Sequence, residues 1–150
     1  ANSNKLGEDL KKAVKDWLAT DRYIRMKNIK LEDLKNKVML FDRYVPSAIA
    51  YRMAEGVNKD WVTNINSVFP KADIGFFIDI TPNESVKRNT DTKFNIKATP
   101  EHLNKVRDAY LSILEENNLI YINGMQSIDK IFNEVIQKIE EFRKKNERRF

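Results

Sequence analysis

The chain has 150 residues, of which 33% are charged and 41% hydrophobic, and its 27 lysines and arginines against 22 acids give a net charge of +5. This size and composition are typical of one globular domain, so we expect residues 1–150 to form one. Its apolar runs are far shorter than the roughly 20 residues of a membrane helix, so we expect no membrane partner. The sequence has no cysteine and one histidine, which excludes disulfides and cysteine-bound metals and argues against histidine-built sites. We expect a reducing, cytoplasmic setting.

The first part of the chain predicts two helices and a strand. Residues 21–36 are polar and helical in pattern, and the apolar run 38–41 predicts a buried strand that leads into a loop at Asp42, Arg43 and Tyr44. The helix before them follows from apolar residues spaced three and four apart, namely Leu6, Leu10, Ala13, Val14, Trp17 and Leu18.

The middle of the chain alternates helices with a strong strand. Ser47 is placed to cap a helix over residues 47–55, and a second helix reaches Pro70. Residues 74–80 are rich in β-branched and aromatic side chains, which predicts a strand. Thr81 and Pro82 then have the pattern of a helix start, a capping threonine before a proline.

The last part of the chain predicts a polar loop, two helices and another strand. The loop covers residues 88–99, a long helix follows over 100–117, and an apolar strand follows over 119–122. A final helix begins after Asn123-Gly124. Three apolar strands separated by helices describe an α/β domain with a mostly parallel sheet that is buried on both faces.

The loop after the first predicted strand is the best candidate site. Ligands of open parallel sheets bind beyond the carboxyl ends of the strands. Asp42 can orient a hydrated Mg²⁺ there, and Arg43 can grip a phosphate with two hydrogen bonds. The alternative is a surface salt bridge at a strand end.

Around this loop the sequence resembles the thymidylate kinase family. The signature is Asp42-Arg43-Tyr44, followed by a helix with Ser47 and Ala50-Tyr51. The resemblance extends over nearly the whole chain through further motifs: Asn2-Ser3-Asn4-Lys5-Leu6-Gly7-Glu8, Leu18-Ala19-Thr20-Asp21-Arg22, Lys71-Ala72-Asp73-Ile74, Ile78-Asp79-Ile80-Thr81-Pro82 and Lys105-Val106-Arg107-Asp108-Ala109-Tyr110-Leu111.

The resemblance implies a P-loop kinase-like α/β fold, a three-layer parallel sheet flanked by helices. It implies transfer of the γ-phosphoryl group of ATP to thymidine 5′-monophosphate, giving the diphosphate for dTTP synthesis, with Mg²⁺ as cofactor. A homodimer packed through helices is also implied.

The resemblance assigns an acceptor site. Arg43 would hold the 5′-phosphate, and Asp42 would place Mg²⁺ through water. Arg22 would bond the thymine edge, Ser47 would lie beside the base, and Tyr51 would pack on the deoxyribose.

Four further residues complete the predicted site. Leu18 stands where the family usually has a phenylalanine against the base, and Arg52 stands where it commonly has a glutamine. Residues 88–99 would form the lid, with Arg88 against ATP and Lys93 as a second cation, so that both are predicted to be catalytic together with Asp42 and Arg43.

The family's phosphate-binding loop, Gly-x-x-x-x-Gly-Lys-Ser/Thr, is absent from the sequence, in which no pair of the four glycines has this spacing. The resemblance places its strand in the middle of the sheet, so we expect the chain to start after that strand and kinase activity to depend on a loop outside these residues. The alternative is a non-catalytic relative that keeps the acceptor site and has a second chain in the gap. A third hypothesis is nucleic-acid binding by the basic tail, but its interleaved acids favour a solvated helix end, and we expect no nucleic-acid partner.

Overall fold

The computed structural model describes residues 38–88 and 99–147, which form five α-helices, one 3-10 helix and two β-strands. The predicted helices before residue 38 lie outside the described residues, as does most of the predicted lid. In chain order the elements are α1 (Val45–Ala54), α2 (Lys59–Asn66), β1 (Gly75–Asp79), α3 (Pro82–Arg88), α4 (Pro100–Leu111), the 3-10 helix Glu115–Asn117, β2 (Leu119–Asn123) and α5 (Ile128–Glu147).

The two strands pair in parallel, with Gly75 opposite Leu119 and Asp79 opposite Asn123. Both were predicted from their apolar content, and the structure confirms them to within one residue at each end. Because paired parallel strands run in the same direction, their carboxyl ends share one edge of the sheet. Side chains that follow Asp79 and Asn123 therefore meet there.

The prediction of a strand over residues 38–41 is wrong. These residues have no regular structure, and Val38 and Leu40 are 96% and 93% exposed. A strand needs a neighbour for its backbone hydrogen bonds, and in the described part of the chain β1 pairs with β2 alone. A short apolar run alone cannot supply that neighbour.

The helix starts follow the capping rules at three places and depart from them at one. The Thr81 hydroxyl accepts a bond from the Glu84 N–H at 3.3 Å, which confirms the predicted start of α3. Thr99 caps α4 and Asn58 caps α2 in the same way. The prediction that Ser47 caps the next helix is wrong, because α1 begins at Val45 without a side-chain cap and Ser47 lies inside its first turn.

Two helices end earlier than their apolar patterns predict. The helix predicted over residues 100–117 ends at Leu111, and a short turn and the 3-10 helix complete the segment. Asn118 then takes a left-handed backbone with φ of 54°, which turns the chain into β2. The helix predicted to reach Pro70 ends at Asn66.

A small core joins α1, α2 and α4. It contains Ile49 and Ala50 from α1, Val62 from α2, and Ala109 with Ile113 at the end of α4, all 6% exposed or less. The two alanines have no bulk beyond Cβ, so α1 and α4 can pack closely. This packing fixes the positions of the α1 and α4 side chains that form the candidate site.

Candidate functional site

A pocket of about 180 Å³ lies at the carboxyl end of β1. Its wall combines aromatic and charged side chains from three elements, including Tyr51, Phe77, Asp79, Arg107 and Tyr110. This edge of a parallel sheet is where α/β proteins bind ligands. The volume is below the roughly 300–1,000 Å³ of a complete small-molecule pocket.

Arg43 lies in the loop before α1, and its side chain lies against Tyr51 of that helix. Its guanidinium carbon is 5.7 Å from the centre of the Tyr51 ring, which is within the range of a cation–π contact. The backbone of Arg43 has φ of 61°, in the left-handed region. Such a conformation costs about 1–3 kcal/mol and is found most often at functional sites.

Tyr110 is the centre of the pocket wall. Its ring stacks on Phe77, with centroids 4.7 Å apart and planes 15° apart, and the Ser47 side chain lies near its hydroxyl. Burial raises the pKa of Tyr110, so the phenol stays neutral at physiological pH. The structure thus brings the predicted residues Arg43, Ser47 and Tyr51 together around Tyr110.

An ion pair between the buried Asp79 and the partly exposed Arg107 lies in the wall of the same pocket. The Arg107 guanidinium donates from Nε to Oδ1 of Asp79 at 2.7 Å and from Nη2 to Oδ2 at 2.8 Å. The Tyr121 hydroxyl donates to Oδ2 at 3.1 Å. The hydrogen bond to Asp79 raises the pKa of Arg107, and partial burial followed by its bond to Asp79 raises that of Tyr121. Asp79 is only 5% exposed, and Arg107 supplies its counter-charge.

Arg88 lies at the carboxyl edge of the sheet, at the end of α3. Its Nε donates to Glu84 at 2.8 Å, and its Nη1 donates to the Gly124 carbonyl at 3.5 Å. The Gly124 N–H in turn donates to the Asp79 carbonyl at 2.7 Å. The predicted lid arginine is therefore anchored beside the ends of both strands, while half of its side chain remains exposed.

The remaining predicted residues have different surroundings. Asp42 is exposed in the loop next to Arg43. Arg52 forms a 3.3 Å ion pair with Glu55 on its own helix. Leu18, Arg22 and Lys93 lie outside the described residues.

Sequence reasoning gave no role to Phe77, Asp79, Arg107 or Tyr110. A signal was present, because Phe77 and Asp79 are two apart on a strand and Arg107 and Tyr110 are three apart on a helix. Each spacing puts its two residues on one face. Nothing local in the sequence indicates that these two faces meet.

The described part of the chain has one larger groove besides this pocket, and neither a metal cluster nor a membrane helix. Residues 38–88 and 99–147 contain no group of three acidic or histidine side chains that could hold a metal ion. Within those ranges, no helix combines the length and the apolar character needed to cross a membrane. A larger surface groove of about 620 Å³, between the end of α1 and α4, is lined by Glu55, Lys105 and Asp108 among others, and by none of the predicted site residues.

A parallel strand pair with a charged pocket at its carboxyl edge is typical of α/β proteins that bind nucleotides. Residues 5–135 match the family described as thymidylate kinase, and the chain belongs to that family. The helices and the small parallel sheet are compatible with the P-loop kinase fold of the family.

Curated relatives give the same result. The chain is 37% identical over 106 residues to a probable thymidylate kinase of Sulfurisphaera tokodaii, covering 70% of this chain and 56% of that protein. It is 37% identical over 101 residues to one of Sulfolobus acidocaldarius, covering 65% and 52%. A probable thymidylate kinase of Methanocaldococcus jannaschii is 37% identical over 119 residues, covering 79% and 62%. The chain thus spans between about half and two thirds of the length of these relatives.

Proposed function

We propose that this protein acts as a thymidylate kinase, which phosphorylates thymidine 5′-monophosphate with ATP to give thymidine 5′-diphosphate and ADP. The observation that supports this most is the pocket at the end of β1, whose wall includes Tyr51 and Tyr110, with Arg43 against the Tyr51 ring and Ser47 near Tyr110. A cation, hydroxyls and aromatic rings are what a nucleotide's phosphate, polar edges and sugar require. Relatives named probable thymidylate kinase support the choice of substrate.

The acceptor is held by three residues that the structure describes and by two residues of the chain that lie outside the described ranges. Arg43 binds the 5′-phosphate, because a guanidinium forms paired, charge-assisted bonds with phosphate oxygens. Tyr51 packs on the sugar, and Ser47 lies beside the base. Arg22 and Leu18 complete the base contacts. Arg52, which the structure pairs with Glu55, flanks this site one residue after Tyr51.

The reaction demands positioning and neutralisation of charge more than covalent work. An oxygen of the acceptor phosphate attacks the γ-phosphorus of ATP and forms a new P–O bond. The bond between that phosphorus and the β,γ-bridging oxygen breaks, and ADP leaves with the electron pair. Arg43 neutralises the attacking phosphate, and Arg88 and Lys93 neutralise the transferring group from the side of the lid, residues 88–99.

The exposed carboxylate of Asp42 fits a role in holding Mg²⁺. Magnesium retains most of its waters and takes few protein ligands, so one carboxylate acting through water is enough beside substrate phosphates. The ion, when bound, offsets the negative charge of the ATP phosphates. Asp42 is well placed for this because it is adjacent to the phosphate-binding Arg43.

Three structural features complete the proposal. The full domain contains a three-layer parallel sheet. In this sheet the phosphate-loop strand lies next to β1, on the side opposite β2. Residues 1–150 belong to this one domain. The enzyme works in the cytoplasm as a homodimer packed through helices, for which light scattering of the purified protein gives the mass.

The test of the acceptor site is Arg43→Ala in the full-length protein. We expect kcat/KM for thymidine 5′-monophosphate to fall by well over tenfold, because a hydrogen bond to a charged group contributes about 1.5–3 kcal/mol. Calorimetric titration of the same ligand measures the binding part of the loss.

Lys138→Ala is the matched control. Lys138 pairs with Glu141 on α5 and has no place in the proposed site. Its replacement removes one positive charge, as Arg43→Ala does, but removes it away from the site. The Lys138 variant should keep wild-type kinetics. Wild-type kinetics in the Arg43 variant would contradict the site, and a wild type that binds the acceptor without turning over ATP would contradict the activity.

A further inference from the structure

The contact between β1 and α4 consists of two adjacent rungs. Phe77 and Asp79 alternate along β1 and so share one face, and Tyr110 and Arg107 share one face of α4. The first rung is the Phe77–Tyr110 ring stack at 4.7 Å. The second is the Asp79–Arg107 ion pair, with both oxygens bonded at 2.7 and 2.8 Å.

The ion-pair rung is the more rigid of the two. A guanidinium and a carboxylate joined by two parallel bonds are locked in one plane, whereas stacked rings can slide. A third donor, the Tyr121 hydroxyl, holds Oδ2 of Asp79 from β2. Rotation of α4 about its own axis would break these bonds in a site where Asp79 is 5% exposed, with little water to replace them.

The rigid rung acts on the site through Tyr110. Tyr110 is one helical turn from Arg107, so a fixed Arg107 fixes the height and direction of the tyrosine ring. That ring lines the pocket together with Tyr51, and Ser47 and Arg43 lie near its hydroxyl. The pocket wall beside all three predicted acceptor residues therefore depends on where α4 is held.

We propose that Arg107 is a positioning residue of the acceptor pocket, which holds α4 against Asp79 and thereby keeps Tyr110 in the pocket wall beside Tyr51. This rests on the proposed function, which assigns the pocket to the nucleoside monophosphate. Arg107 acts through Tyr110 and needs no contact with the substrate.

The test is a double-mutant cycle with Arg107→Gln and Tyr110→Phe in the full-length enzyme. Tyr110→Phe removes the hydroxyl and keeps the ring on Phe77. We expect Arg107→Gln to raise KM for thymidine 5′-monophosphate by about tenfold, the scale of a small misplacement in a binding site, and Tyr110→Phe to raise it by about threefold. If Arg107 acts through Tyr110, the double variant should match Arg107→Gln alone, because the Tyr110 hydroxyl has already left its place in the pocket wall.

The KM for ATP distinguishes a positioning role from a general folding defect. A folding defect would disturb the binding of both substrates, whereas a shift of the acceptor wall changes only the KM for the acceptor. The KM for ATP should stay within about twofold of wild type in all three variants, since only the acceptor wall moves. Lys105→Gln removes a charge from the same helix, where Lys105 pairs only with Glu101 in the described residues, and should leave both KM values unchanged. If Arg107→Gln does not fold, Arg107→Lys keeps the charge without the fork and should raise the acceptor KM by about threefold.

Each contrary outcome overturns a defined part. A double variant whose KM rises by the product of the two single effects would mean that Arg107 does not act through Tyr110. An unchanged acceptor KM in a folded Arg107 variant would remove the positioning role while wild-type activity stands. A wild type that neither binds nor phosphorylates the acceptor would overturn the proposed function, and the role assigned here with it.

Discussion

At the scale of single residues, Arg43 combines an unfavourable backbone with a favourable side-chain position. Its φ of 61° is rare for a residue with a Cβ, and its guanidinium lies on the Tyr51 ring. The strained backbone turns the chain from the loop into α1 and presents the cation at the pocket. We interpret the strain as the local cost of a functional position.

This interpretation predicts a stability difference between two variants that both lose the guanidinium. Arg43→Gly should be more stable than Arg43→Ala by about 1 kcal/mol, because only glycine takes a left-handed backbone without steric cost. Urea unfolding of the full-length variants measures the difference in stability. Both variants should show the same fall in kcat/KM for thymidine 5′-monophosphate. An alanine variant at least as stable as the glycine variant would contradict the left-handed conformation.

At the scale of elements, the site depends on how closely β2 and the following turn approach β1. The N–H of Gly124 donates to the Asp79 carbonyl at 2.7 Å. A Cβ on Gly124 would lie 2.8 Å from that carbonyl oxygen and 2.6 Å from a methyl of Ile80. A Cβ on Gly75, at the other end of β1, would meet at 2.6 Å only the movable end of the Leu119 side chain.

The two glycines therefore differ in their tolerance of alanine. Gly124→Ala should lower the free energy of unfolding by about 1–3 kcal/mol, because backbone cannot move aside without disturbing the strand pair. Gly75→Ala is the matched control and should cost less, since Leu119 can change rotamer. Chemical denaturation of both proteins measures the two values, and equal losses would contradict the close approach at Gly124.

At the scale of the whole molecule, the apolar surface and the buried phenols are the features that concern stability. In the described residues, Ile128 and Phe132 on α5 are 84% and 62% exposed, while the core between α1 and α4 is closed. Tyr110 joins that core to the site. Its hydroxyl must remain protonated in the folded protein because burial disfavours the phenolate.

Stability should consequently fall at alkaline pH. The pKa of Tyr110 in the folded state is raised above its usual 10.0, so the unfolded state loses this proton first as pH rises. The contribution is complete below about pH 10 and is lost as pH rises toward the folded pKa. Thermal unfolding at stepped pH should show a smaller alkaline loss in Tyr110→Phe than in wild type. Identical pH profiles would contradict the prediction.

Much of the local structure was predictable because its causes are local. Thr81 and Pro82 start α3 as predicted, and the β-branched and aromatic content of residues 74–80 predicted β1. Predictions failed where a residue's structure depends on parts of the chain that are distant in the sequence. The apolar run 38–41 forms no strand without a paired edge, and Ser47 contacts Tyr110 instead of capping a helix.

The sequence by itself determined the starts of α3 and α4, the two strands and the resemblance to the family, and the acceptor residues are a prediction from that resemblance. Only the tertiary structure decided that Asp79 pairs with Arg107, 28 residues away, and that Tyr110 stands between Phe77 and Ser47. The physical reason is that capping and strand preference depend on neighbours along the chain. The meeting of two faces depends on how helices and strands pack, which no local pattern encodes.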